Sequence, residues 1–499
     1  MKKAMKFAAI AVAVATLFAS CVSTSQTDSS DASQKQTQGA KPSGQEKAVK
    51  EKPTKKRKFD AKAFTASYEK GDYVACAEML FGKQIKKDLV KDMLDADMLM
   101  YYAKFYQAAG KGFLETYNQM QQNTATLNAG EATKAALSSE TSTNYGGSEY
   151  ERYLAWSMRL ACALNLDQDD VANGIMKDYV GTFMREIQEL REKNAQLDAD
   201  AEKSLEGGEF KTAQSKLASS GINFSFIDRP KKSNVRYEGS PFFNYLGTLS
   251  YATSGDFDHA QEFASVYKVP NGKALASVPK GKGRLEVVAL SGLIGRRADI
   301  SAGVKPTCTM LPLPYVDRTI PIYTKIAYPV FDPAAQTHEI VGARVHLSNG
   351  QSAATYLIED FDNAVAIDVA QKAWGAYSRS VFRNVVKNSI VVGSVIAAAI
   401  AVKETAGVSK IAAVAANIAL NTAINVAAEA VAKIEKADIR QGVYFPHKAS
   451  AAGFVLDPGT YTVKVEYLNS SNAVVGTKVI ENVAVNAGKV TVRVSSCHK

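Results

Sequence analysis

The sequence predicts an α+β fold in which helices come first and strands dominate later. Three observations lead to it. Apolar side chains recur at helical spacing over residues 59–280, and they alternate with polar ones in much of 281–388 and 441–499. Between the alternating regions, residues 389–440 are rich in alanine and poor in charge. We therefore predict a helical-repeat-like domain, a mixed β domain that includes a helix, an Ala-rich helical hairpin and a C-terminal β-sandwich-like unit.

The N-terminus carries a targeting pattern. Three lysines and then an uncharged apolar run, residues 7–18, precede Ala19, Ser20 and Cys21. This order is typical of a secretory signal peptide, and the run is shorter than the roughly 18 apolar residues of a membrane span. Because a cysteine stands at the cleavage point, residues 1–20 resemble a bacterial lipoprotein signal, which implies lipidation of Cys21, for example with palmitate. The alternative is an ordinary signal peptide that happens to contain a cysteine.

Residues 21–58 are predicted to form a disordered tether. They are rich in Ser, Thr, Gln and Lys and have few apolar side chains, so they cannot bury enough surface to fold. The net charge of the chain is +10, and residues 1–58 supply most of it, with 12 Lys and Arg against 4 Asp and Glu. The remaining chain is near neutral, and we expect no nucleic-acid partner. The basic residues within 52–58 either contact anionic lipid or keep the linker solvated.

The helical region, residues 59–280, contains short tips with glycine at 69–73, 109–113 and 254–257. Small and aromatic residues around the last tip have the spacing of a tetratricopeptide-type helix pair. No regular period links the tips, so an irregular helical bundle is the alternative. A long charged helix is also predicted at 183–205, ended by a pair of glycines.

The β regions are predicted from alternation and from turn signals. An Asn-Gly pair at 349–350 indicates a hairpin, and Asp362 is predicted to cap a helix that ends at about Val386. The predicted strands lie at 284–294, 309–316, 320–330, 339–347, 352–358, 460–467 and 489–494.

The Ala-rich hairpin has predicted arms at 389–402 and 409–434. As a helix, the first arm would span about 21 Å, less than the hydrocarbon core of about 30 Å. The second arm places polar side chains on one face at four-residue spacing: Asn417, Asn421, Asn425 and Glu429. We expect the hairpin to pack inside the fold, with a membrane-inserting or self-associating hairpin as the alternative.

Cysteine usage does not indicate a disulfide framework or a structural zinc site. After Cys21 the sequence has Cys76, Cys162, Cys308 and Cys497, with no CxxC pair. Cys76 and Cys162 lie in apolar helical contexts and are expected to be core residues. Any disulfide among the four is left open.

No pattern for known chemistry occurs: HExxH, GxSxG, Walker and GxGxxG motifs are all absent from the sequence. Asp256, Asp258, His259 and Glu262 cluster, but beside a glycine turn we expect an aspartate to cap the next helix rather than to bind metal. We therefore predict no catalytic residue, no metal ligand and no cofactor, and we disfavour an enzyme.

A series of segments carries a family resemblance. They lie at 237–246 (YEGSPFFNYL), 255–257, 284–297, 311–315, 437–440 with Pro446, and 456–461 (LDPGTY). Together they resemble a family of uncharacterised bacterial envelope lipoproteins with an N-terminal tetratricopeptide-like helical region. The resemblance covers about residues 235–465, with glycine at 295 where the family usually has proline. It implies an envelope lipoprotein with a helical-repeat front half, and no catalytic residue carries over.

These observations give an expectation for location and partners. Val22 follows Cys21 where a retention signal would have Asp. In a two-membrane bacterium this resembles the usual sorting pattern for the outer membrane, so we expect lipid anchoring there, with the body facing the periplasm. The expected role is a scaffold that binds other cell-envelope proteins and reaches the membrane through its lipid anchor. No small-molecule ligand is identifiable. The alternative is a hydrolase or transglycosylase that acts on the cell wall.

Overall fold

The computed structural model describes residues 59–81, 89–125, 141, 143–222, 230–301, 307–332, 339–405, 414–422 and 435–498. The predicted signal peptide, Cys21 and the tether lie outside these residues. Within them the chain has both helices and strands, which confirms the predicted α+β class.

Helices make up most of the described chain before residue 280. A π-helical turn, Tyr179–Phe183, joins the helix that ends at Asp178 to the helix that begins at Met184. The helices are α1 Ala61–Glu69, α2 Tyr73–Phe81, α3 Leu89–Tyr102, α4 Tyr106–Ala125, α5 Glu149–Asn165, α6 Asp169–Asp178, α7 Met184–Glu206, α8 Gly208–Ser219, α9 Pro241–Thr253, α10 Phe257–Val266, α11 Gly272–Leu275 and α12 Phe361–Thr405.

The strands form two four-stranded sheets and two two-stranded ribbons. The strands are β1 Gly283–Ser291, β2 Arg296–Asp299, β3 Thr307–Pro312, β4 Thr319–Thr324, β5 Pro329–Asp332, β6 Gly342–Leu347, β7 Ser352–Ala354, β8 Tyr356–Asp360, β9 Lys448–Leu456, β10 Gly459–Leu468, β11 Val474–Val485 and β12 Val490–Cys497. The four-stranded sheets have the orders β12-β1-β9-β8 and β11-β10-β6-β7, and the ribbons pair β2 with β5 and β3 with β4.

Strand β1 is buried on both faces because it lies between two cores. Leu285, Val287 and Ala289 share a core with side chains of the second sheet, such as Val465. Val288 and Leu290, which alternate with them, belong to the core that contains α5 and α9. Successive side chains of a strand point to opposite faces, so one sheet separates the helices from the second sheet.

The two sequence ranges that we predicted as separate β regions contribute to the same sheets. Strand β1 pairs with β12 in parallel and with β9 in antiparallel orientation. Strand β6 pairs with β10 from the C-terminal range. The predicted strand at 352–358 divides at Thr355, so that β7 joins one sheet and β8 joins the other. The β-sandwich is therefore built jointly by residues from before and after the Ala-rich segment.

Two of the three predicted helix tips are turns. Gly71 has a φ of +76° between α1 and α2, and Gly255 has a φ of +83° between α9 and α10. Glycine adopts this left-handed conformation without steric cost. The long charged helix predicted at 183–205 corresponds to α7.

The third predicted tip, residues 109–113, is wrong, because these residues lie inside α4. The glycines serve close packing there instead of a turn. A Cβ on Gly112 would lie 2.0 Å from Oδ1 of Asp97, and one on Gly110 would lie 3.3 Å from Cβ of Cys162. These two glycines of α4 therefore allow close packing against α3 and α5, and they do not form a turn of the chain.

Helix α12 corrects the predicted boundary between a helix that ends at about Val386 and a hairpin arm that begins at 389. The structure has one continuous helix of 45 residues, and it begins at Phe361 beyond the carboxylate of Asp360, which accepts a hydrogen bond from the Asp362 amide. By length and composition α12 is also apolar enough to cross a membrane. Of the apolar 18-residue stretch within it, 44% is buried. Of the predicted second arm, the structure describes residues 414–422, which are helical; the remainder lies outside the described residues.

Candidate binding groove in the helical region

The predicted site residue Cys21 lies outside the described residues, and the other four cysteines are not paired with one another. Cys76, Cys162 and Cys497 are buried, and Cys308 is exposed on β3. Cys76 and Cys162 are core residues, as predicted, with exposed fractions of 0% and 2%. Burial raises the pKa of both thiols. A raised pKa disfavours the reactive thiolate, so neither is suited to be a nucleophile.

The acidic cluster beside Gly255 has the capping role that the sequence predicts. The carboxylate of Asp256 accepts a hydrogen bond from the amide of His259 at 3.3 Å and also contacts the His259 ring at 2.7 Å. Both bonds lie at the exposed N-terminus of α10.

A second histidine contacts two carboxylates that the sequence analysis did not bring together. Nε2 of the buried His447 lies 3.3 Å from Oδ1 of Asp360 and 3.8 Å from Oδ2 of Asp362. The three side chains are close enough to hold a metal ion. However, Asp360 caps α12, and Asp362 accepts a 2.6 Å hydrogen bond from the amide of Gly295. Because each carboxylate has a structural partner, we assign the cluster to the junction of β8, α12 and β9.

The motif at 237–246 holds the helical region against the sheets. Tyr237 and Ser240 donate hydrogen bonds to the carboxylate of Glu359, and the amide of Phe242 donates one of 2.8 Å. Burial raises the pKa of Glu359 to about 7, although these hydrogen bonds act in the opposite direction. Tyr245 likewise donates a 2.9 Å hydrogen bond to buried Glu286 on β1. Tyr237, Ser240 and Tyr245 of this motif therefore have structural partners in the sheets.

A groove lies between α4 and the pair α5–α6. Its volume is about 240 Å³. Gly110 lets the two helices approach closely and forms part of the floor, next to Cys162. The lining residues are Tyr106, Gln107, Gly110, Lys111, Leu114, Arg159, Cys162, Ala163, Leu166, Gln168, Val171 and Ile175.

The groove combines apolar walls with positive charge. Leu166 and Val171 are 38% and 48% exposed on its walls. Lys111 and Arg159 are its two charged lining residues, and no lining residue is acidic. Lys111 is exposed and lies 3.8 Å from Glu115, too far for a strong hydrogen bond. The groove therefore presents a cationic and apolar surface.

Arg159 is the unusual member of the lining. Its guanidinium lies over the ring of Trp156, 5.4 Å from the centroid. Among the described residues its Nη1 atom is enclosed and has no hydrogen-bond partner. Burial lowers the pKa of Arg159, and Asp178 opposes this through space without forming an ion pair. A partly desolvated arginine in this state favours the approach of an anion.

Another nearby carboxyl does not cancel this charge. Asp97 is buried behind the groove and accepts a 2.6 Å hydrogen bond from Thr116. Burial raises its pKa well above the ordinary value, which favours the neutral acid. Arg159 was not predicted as a site residue, although a single arginine within the apolar stretch 154–164 is a sequence signal for it.

Comparisons with known proteins add no further identification. No protein family, curated protein or solved structure matches the chain.

Proposed function

We propose that this chain is a lipid-anchored lipoprotein of the bacterial envelope that serves as an interaction scaffold. Cys21 carries the acyl chains at the outer membrane, residues 22–58 tether the body, and the body faces the periplasm. The helical region, arranged as tetratricopeptide-like pairs, binds other envelope proteins.

The groove between α4 and α5–α6 is the observation that carries this proposal. It offers exposed aliphatic side chains beside Arg159, whose enclosed Nη1 has no hydrogen-bond partner among the described residues. Such a combination is typical of a surface that receives part of another protein. The helix pairs α1–α2 and α9–α10, each joined by a glycine turn, support a repeat-like arrangement.

Site-specific photocrosslinking in cells tests the scaffold role. A photoreactive residue is placed at Phe81 on α2, at Phe105 beside α4 or at Val171 in the groove; all three side chains are exposed. Val479 on β11, which is 48% exposed, is the control position. We expect mass spectrometry to identify the same envelope protein repeatedly from at least one helical position and not from the control. If no position gives a reproducible partner and the purified protein turns over a cell-wall substrate, the enzyme alternative replaces this proposal.

The anchor is tested separately with Cys21→Ser. The variant is expected to be exported as a soluble chain that leaves the membrane fraction after a salt wash, because the thiol that receives the acyl chains is absent. A Cys21→Ser chain that stays in the washed membrane fraction contradicts lipid anchoring at this residue.

A further inference from the structure

We propose that the groove between α4 and α5–α6 binds a carboxylate that stands next to an aliphatic side chain in a partner protein. This inference rests on the proposed scaffold function and specifies the chemistry of the partner. An acidic residue flanked by leucine, isoleucine or valine has the required features.

The charge of the groove selects an anion. Arg159 and Lys111 line it, and none of its lining residues is acidic. The enclosed Nη1 of Arg159 lacks a hydrogen-bond partner among the described residues, so part of the guanidinium has lost water without gaining a protein acceptor. A guest carboxylate would supply acceptors to the rest of this half-buried guanidinium, and arginine binds carboxylates through two parallel hydrogen bonds.

The walls select an aliphatic neighbour. Leu114, Leu166 and Val171 face the groove together with Ile175 from α6. A volume of about 240 Å³ accommodates a carboxylate and one medium aliphatic side chain, and it is small for a drug-sized ligand, whose sites begin at about 300 Å³. Burying a side chain such as leucine there removes both the guest and the exposed Val171 from water.

The groove contains its own spectroscopic reporter. The chain has two tryptophans, and Trp156 lies directly under the Arg159 guanidinium. In a full-length Trp374→Phe background, Trp156 is the sole source of tryptophan fluorescence. A carboxylate that binds Arg159 changes the charge above the indole ring, so its emission should shift on titration.

The probe is the peptide acetyl-Ala-Leu-Glu-Leu-Ala-amide, titrated into the Trp374→Phe protein at low salt. We expect a saturable change in Trp156 emission that weakens as salt increases. The same peptide with glutamine in place of glutamate should bind roughly ten- to hundredfold more weakly, because a charge-assisted hydrogen bond is lost. Hexanoate is titrated as well, to separate a peptide site from one that accepts a free fatty acid.

Two variants and a matched control connect the binding to the groove. Arg159→Gln should abolish the preference for glutamate over glutamine. Val171→Asp places a carboxylate in the groove, within the first turn of α6 where negative charge is tolerated, and should also prevent binding. Arg185→Gln removes an exposed arginine of α7 and should leave the titration unchanged.

Equal affinity for the glutamate and glutamine peptides would overturn the inference, as would a preference that persists in Arg159→Gln. Tighter binding of hexanoate than of the peptide would assign the groove to a fatty acid instead. The scaffold proposal fails separately, because it is judged by the crosslinks from all helical positions. Crosslinks from Phe81 or Phe105 without binding in the groove would refute this inference and leave the scaffold in place.

Discussion

The two halves of α12 differ in burial, and the more polar half is the more buried one. Residues 361–388 carry most of the charges of the helix, and almost every position there is buried or half-buried. Residues 389–405 are far more apolar, yet Ile390, Gly393, Ala397 and Ile400 form an exposed stripe along one side. The comparison shows that burial in this protein follows the available partners rather than the polarity of the segment.

Buried ion pairs explain the front half. Nε of Arg383 lies 3.0 Å from Oε1 of Glu435, and both residues are at most 2% exposed. Asp368 contacts Arg297 at 2.7 Å and Lys372 at 2.8 Å. Burial alone would raise the pKa of Asp368, but the charges of Lys372 and Arg297 outweigh burial and lower it.

The rear half is held by small aliphatic contacts. Val391, Val392, Val395 and Ala399 share a core with Leu420 of the helical segment 414–422. Near the C-terminal end of this half, Nζ of Lys403 lies over the Tyr315 ring, 3.8 Å from its centroid. The rear half therefore depends on packing, and the front half depends on packing together with charge pairing.

The largest effect is expected from Asp368→Ala in the front half. The substitution leaves the guanidinium of Arg297 buried without its carboxylate, and such changes cost about 3–5 kcal/mol of the free energy of unfolding. Lys372→Ala is the control, because Lys372 is 36% exposed and its removal leaves the Arg297 pair in place. Urea unfolding of both variants measures the difference. Equal losses of unfolding free energy in the two variants would show that the buried pair of Asp368 with Arg297 adds no particular stability to the front half.

The second-largest effect is the pH dependence of stability that arises from Glu359, just before α12 begins. The pKa of Glu359 is raised from its ordinary value near 4.5 to about 7, so the folded state holds a proton that the unfolded state releases. The stability associated with this proton is complete below pH 4.5 and is lost as the pH rises through 7, by about 3 kcal/mol.

Glu359→Gln should remove that loss, because an amide oxygen still accepts from Ser240 and Phe242 and does not ionise. The measurement is the difference in unfolding free energy between the two proteins at pH 5 and at pH 8. A difference that stays constant across this range would mean that Glu359 does not hold a proton in the fold.

Parts of this architecture were predictable because they depend on local signals. The turns at Gly71 and Gly255, the cap at Asp256 and the strand β1 follow from residues a few positions apart. The pairing of the strands before and after α12 was not predictable, because β1 and β12 are about 200 residues apart and nothing in either strand specifies its neighbour.

The groove beside Arg159 also depends on residues that are far apart in the sequence, so it was not predicted. The sequence shows that Arg159 lies in an apolar helix, but it does not show that Gly110 lies in the floor of a groove beside it. Nor does it show that the enclosed Nη1 of Arg159 has no hydrogen-bond partner among the described residues. The burial of Asp368 and Arg383 was hidden similarly, since their partners Arg297 and Glu435 lie 71 and 52 positions away. A single sequence shows where a charged residue stands along the chain, but it does not show which residue pairs with it in the fold.

A smaller effect tests the rear half. Ala398 is 8% exposed, whereas its neighbour Ala397 lies on the exposed stripe. Ala398→Leu should overpack the core and lower the free energy of unfolding by about 1–3 kcal/mol. Ala397→Leu adds the same atoms on the outside and should change stability by no more than about 0.5 kcal/mol. Thermal melts of the two variants, compared directly, would refute the assigned orientation if Ala397→Leu were the more damaging.

The smallest effect is expected from the exposed stripe itself. We predict that Ile390→Asn and Ile400→Asn together leave the melting temperature nearly unchanged, because both side chains already contact solvent, with exposed fractions of 43% and 36%. We also predict that the Cys21→Ser chain does not float with liposomes, since the opposite face of α12 is buried against residues of α8 and of segment 414–422. If the Cys21→Ser chain floats and the double substitution abolishes flotation without changing the melt, the rear half is a membrane-contacting element. Residues 389–405 of α12 would then belong to the membrane surface rather than to the interior of the fold.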